Sequence, residues 1–112
     1  MARLYVEAVS APVNAAVGNR NPVHLGVSVT DGNGNGVAGL TAADFAIATT
    51  TVAPGGATAV ISSVTASTIA GGYQFHILPT GLNNWQDGTY VFVIDVTSGV
   101  DDGQTVVNVA VP

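Results

Sequence analysis

The segment VHLGVSVT places Val23, Leu25, Val27 and Val29 at every second position, with His24, Gly26, Ser28 and Thr30 between them. A period of two is the signature of a β-strand with one buried face, because successive side chains point to opposite sides of a pleated backbone. Such a strand cannot bury its own apolar face. It needs neighbours in a sheet and a second layer above it.

The same kind of segment recurs along the chain: RLYVEAV (3–9), FAIATT (45–50), ATAVISSVTAS (57–67), GYQFHIL (72–78), TYVFVIDVT (89–97) and QTVVNVAV (104–111). Each is bounded by Gly, Pro, Asn or Asp, the residues that reverse a chain between strands. The sequence carries no amphipathic helix, although LTAADF (40–45) fits one helical turn before the third strand. The pattern therefore predicts an all-β fold, an antiparallel sandwich of seven strands in two sheets, formed as one domain over residues 1–112. Leu25, Val27, Phe75, Ile77, Tyr90, Phe92 and Ile94 hold the apolar phase of the clearest strands and are the predicted core.

Charge narrows the function. Only 8% of the residues are charged, the chain has no lysine, and seven acids against Arg3 and Arg20 give a net charge of −5. Binding to nucleic acid through phosphate neutralisation has no positive charge to draw on, and anionic membrane surfaces are disfavoured for the same reason. The absence of cysteine excludes disulfides, thiolate metal sites and cysteine nucleophiles. MARLYVEAVSAPV lacks the apolar centre of a signal peptide, and no apolar run is long enough to insert in a bilayer. The chain is therefore expected either to be made without export or to be a segment of a longer secreted protein.

Two stretches resemble known domains. DGTYVF, Asp87 to Phe92, resembles the tyrosine corner of immunoglobulin-like sandwiches, in which a tyrosine at the start of strand F bonds through its hydroxyl to the preceding loop. Tyr90 is the matching tyrosine, and Phe92 stands where antibody domains have their second cysteine. Trp85 precedes strand F, so the strand C tryptophan of antibody domains is not reproduced. VSVTDGNGNGVAGLTAADFAI, Val27 to Ile47, resembles bacterial immunoglobulin-like domains of the invasin and adhesin type, with a Val-Thr-Asp strand end, an Asn-Gly turn and a Val-x-Gly-Leu segment. This resemblance implies a non-catalytic spacer or interaction module, placed extracellularly or at a bacterial cell surface within a longer chain.

The stretch DGNGNG opens like a calcium-binding loop, with Asp31, Asn33 and Asn35 at alternate positions. An EF-hand requires a carboxylate at the twelfth position, which is Ala42, and flanking helices where this chain has strands. The residues are better read as a turn, in which Asn and Gly supply positive φ angles. Asp101 and Asp102 are the candidate distant carboxylates, since the BC and FG loops of the resembled fold share one end. The same fold makes strands B and E neighbours, which would bring His24 and His76 together as candidate transition-metal ligands. No third histidine or any cysteine accompanies them. No cofactor is expected.

Enzymatic function has little support, because no serine lies in a nucleophile elbow and no glycine-rich run leads from a strand into a helix. A small carbohydrate-binding module is the alternative to a protein-interaction module. Trp85, Tyr5 and Tyr73 are the aromatic residues available for stacking on a sugar, with Tyr73 assigned to the core by its alternation with Phe75 and Ile77.

If Tyr90, Phe92, Ile94 and Val96 point inward, Val91 and Val93 point outward, and either Val106 or Val107 joins them from strand G. The edges also lack the lysines that discourage strand pairing between molecules. A protein partner or self-association is expected through this outer face, with Val91, Val93, Val106 and Val107 as the candidate contact residues.

Overall fold

The alternating segments become strands β1 (Tyr5–Ser10), β2 (Val23–Thr30), β3 (Phe45–Thr50), β4 (Ala59–Ala66), β5 (Gly72–Pro79), β6 (Gly88–Ser98) and β7 (Asp101–Val111) in a computed structural model. Residues 3–11, 14–50, 58–81 and 83–112 are described. Ala57, the first residue of the predicted fourth strand, lies outside them. The helical turn expected near LTAADF is a short 3-10 turn, Ala42–Asp44, at whose start the Thr41 backbone N–H donates to the Asp44 carboxylate at 2.8 Å.

One sheet has the order β1-β2-β5-β4 and the other β3-β6-β7, and every pairing between named strands is antiparallel. In immunoglobulin lettering these are the A-B-E-D and C-F-G sheets of a constant-type domain. The order is not a meander: β5 and β6 are consecutive in sequence but belong to different sheets. The connection between them must pass over an end of the sandwich from one sheet to the other, and this exchange holds the two layers face to face.

Leu25, Val27, Phe75, Ile77, Tyr90, Phe92 and Ile94 are all buried between the sheets. Phe45 at the start of β3 meets Phe75 and Tyr73 of β5 edge-on, with ring centroids 4.7 and 5.5 Å apart. These contacts join the two sheets through favourable aromatic geometry. Leu4 and Val6 are buried while Arg3, Tyr5 and Glu7 remain exposed, as the alternation in RLYVEAV predicts. The Leu4 N–H donates to the Asp102 carbonyl at 2.7 Å, so the segment entering β1 touches the second sheet before β1 continues in the first.

The glycine-rich loop is held from two sides. Tyr73 donates its hydroxyl to the Val37 carbonyl at 2.6 Å and accepts the Leu40 N–H at 3.1 Å. Both of its hydrogen-bonding functions are thus satisfied in the interior, where an unsatisfied group would be costly. Gly36 packs against the turn between β4 and β5, and a Cβ there would run into the Ala70 carbonyl. Of the glycines in DGNGNG, only Gly34 takes a positive φ, at 81°. Asn33 and Asn35 do not, which corrects the expectation that asparagines share the reversal. The physical reason is the Asp31 side chain, which organises the turn through hydrogen bonds instead.

Candidate protein-interaction face

The outer face of the β3-β6-β7 sheet is built by the register of its two long strands. Val93 lies directly opposite Val106, Val91 opposite Asn108 and Phe92 opposite Val107. Residues opposed across an antiparallel pair share a face, so Val106 joins Val93 outside while Val107 follows Phe92 into the core. Val106 is 56% exposed and Val107 only 7%. This corrects the assignment of Val107 as a contact residue. Val91 and Val93 are half-buried, and Ala46 of β3 and Ala110 of β7 are exposed.

The apolar part of this face ends at Asp95, which lies opposite Gln104 and accepts a hydrogen bond from its side-chain amide at 2.6 Å. Beyond that pair an open groove of about 700 Å³ is lined by Arg3, Glu7, Asp95, Thr97, Asp102 and Gln104, among others. A valine surface therefore adjoins a polar groove. Apolar contact area with a polar border is the usual composition of an interface centre and its rim.

The other candidate residues separate into different regions. Asp31 Oδ1 accepts the N–H groups of Asn33 at 2.9 Å and Asn35 at 3.0 Å, as in an Asx turn. One oxygen of its carboxylate is thus engaged by the backbone of its own loop. Asp101 and Asp102 belong to β7, not to the preceding connection as expected, because β7 stays paired with β6 as far as Ser98↔Asp101. Among the described residues, no three His, Asp or Glu side chains assemble as a metal-holding group. Melting temperatures in excess calcium and in chelator are expected to agree, whereas a ligand at 100 times its dissociation constant would add about 2.7 kcal/mol. A calcium-dependent rise abolished by Asp31→Ala would contradict this reading.

Trp85 is fully buried, and its indole N–H donates to the Asn21 carbonyl at 2.7 Å. It meets Tyr90 edge-on at 5.1 Å. It has no face free to stack on a sugar, which corrects its candidacy as the centre of a glycan site. Tyr73 is also buried, while Tyr5 is 55% exposed on β1. The tyrosine corner is present in its hydrogen bond: the Gln86 N–H donates to the Tyr90 hydroxyl at 3.0 Å, and Tyr90 is buried.

Sequence reading missed the partners of Arg20, whose guanidinium donates to the carbonyls of Asn83 and Pro79. Its rarity as one of two basic residues was the available signal. His24 and His76 occupy opposed positions on β2 and β5, on the outer face of the other sheet.

The strand order, core and tyrosine corner define an immunoglobulin-like seven-stranded sandwich. No family model, curated protein or solved structure matches the chain.

Proposed function

We propose that this domain is a non-catalytic structural and protein-interaction module whose contact surface is the outer face of the β3-β6-β7 sheet. The observation that carries this reading is the apolar surface formed by Val91, Val93 and Val106, with Val93 directly opposed to Val106. A second copy of the chain covers this surface. The two copies would meet valine face to valine face about a twofold axis, the commonest arrangement of homodimers. The net charge of −5 opposes close approach, but Asp95 at the border is hydrogen-bonded to Gln104 and the valine positions carry no charge.

A module of this kind fits the stalks and multidomain surface proteins in which bacterial immunoglobulin-like domains serve. The resemblance of Val27 to Ile47 supports an extracellular or cell-surface setting within a longer chain.

Sedimentation should show concentration-dependent association of the wild type and its loss in Val91→Lys/Val93→Lys. The introduced ammonium groups would have to be desolvated at the contact, while their melting temperature reports whether the fold survives. A wild type that stays monomeric across the concentration range would overturn the assignment of a second copy as occupant.

A further inference from the structure

The geometry points to a two-histidine chelating site for a divalent transition metal on the outer face of the β1-β2-β5-β4 sheet, formed by His24 and His76. These residues are opposed in the antiparallel register of β2 and β5, which are the two central strands of that sheet. Their ring centroids are 4.4 Å apart with an interplanar angle of 70°. Both rings are partly exposed, so a hydrated cation can reach them.

Metal–imidazole bonds of about 2.0–2.1 Å place two rings bound to adjacent coordination positions roughly 4.5–5 Å apart at their centres. The observed separation is close to this range, and rotation of the side chains from their edge-to-face contact is what would aim one nitrogen of each ring at a common point. Imidazole is a suitable ligand for nickel, copper and zinc, whereas calcium and magnesium favour oxygen donors. The site is thus selective by donor chemistry.

The local sequence leaves room for the rest of a coordination shell. Gly26 is the next outward residue on β2 and has no side chain to cover the pair, while Gln74 lies directly opposite it on β5. Ser63 on β4 is paired with His76. Water completes the shell, and the amide of Gln74 and the hydroxyl of Ser62, which donates to the His76 carbonyl at 3.0 Å, are the nearby polar groups. Because paired central strands hold the two backbone positions opposite each other, only the side-chain torsions have to be ordered on binding. Once one imidazole binds, the other is present at high effective concentration.

Nickel chloride is the probe. The wild type is expected to melt several degrees higher in excess Ni²⁺ than in chelator, with paramagnetic broadening centred on the His24 and His76 imidazoles in NMR spectra. His24→Gln and His76→Gln should each weaken Ni²⁺ binding by about tenfold or more, because one ring alone loses the chelate advantage. The melting temperatures of both variants in chelator establish that they fold. Calcium chloride at the same concentration should leave the wild type unchanged. Equal wild-type melting in Ni²⁺ and chelator without histidine broadening would overturn the proposal, as would Ni²⁺ binding that survives both substitutions at wild-type affinity.

Discussion

Replacing Phe92 with Ala is expected to destabilise the domain by about 3–5 kcal/mol, the range found for deleting a buried aromatic side chain. Phe92 is fully buried in β6, stacks on Tyr90 with centroids 5.8 Å apart and lies opposite Val107. Its removal loses apolar burial and leaves a void that surrounding strands can fill only in part. A domain of this size typically has about 5–15 kcal/mol of stability, so the loss is a large fraction of the total. Denaturant titration should show a much lower midpoint with a similar slope, while Thr97→Ala on the exposed phase of β6 should change stability by no more than about 0.5 kcal/mol. A Phe92→Ala variant as stable as wild type would place the core on the wrong face.

Trp85→Ala is expected to have an effect of similar size, about 3–5 kcal/mol, although Trp85 belongs to no strand. Its ring packs on Tyr90 while its backbone joins two loops: the Trp85 N–H donates to the Asn19 carbonyl at 2.9 Å, and the Gly18 N–H donates to the Trp85 carbonyl at 3.1 Å. Losing the side chain removes both packing and the donor to Asn21. Trp85→Phe separates these contributions, since it retains much of the apolar area but leaves the Asn21 carbonyl without its indole partner. The hydrogen-bond part should cost about 0.5–1.5 kcal/mol. Equilibrium unfolding of the three proteins measures both steps, and an alanine variant with wild-type stability would show that the loop packing has been misassigned.

The different fates of Phe92 and Trp85 show which physical information is local. Phe92 sits in an alternating strand, so its inward phase is written in its immediate neighbours. Trp85 lies in NNWQDG, whose polar composition reads as an exposed connection. It is buried by residues outside its own loop: Tyr90 in the following strand and, 64 positions away, the segment around Asn21. No periodicity within the loop encodes that packing.

The same distinction applies to the sheet and to the candidate face. Alternation identified the seven strands, but the separation of consecutive β5 and β6 into different sheets depends on long-range pairing. Resemblance to an immunoglobulin-like domain, not periodicity, supplied that order. The outward phase of Val91 and Val93 was legible because Tyr90, Phe92 and Ile94 share the opposite phase. For β7 the adjacent valines left two phases available, and only the register opposite β6 sends Val106 outward and Val107 inward. Asp101 and Asp102 look like turn residues by composition, yet pairing with β6 carries them into a strand.

In the proposed self-association, molecules meet through the valine surface of the second sheet. Backbone amide NMR spectra recorded across a concentration series test this most directly, because each residue reports its own environment. Concentration-dependent shifts should centre on Val91, Val93 and Val106 and disappear in Val91→Lys/Val93→Lys. Spectra independent of concentration, or shifts centred instead on the outer face of the β1-β2-β5-β4 sheet, would contradict the claim.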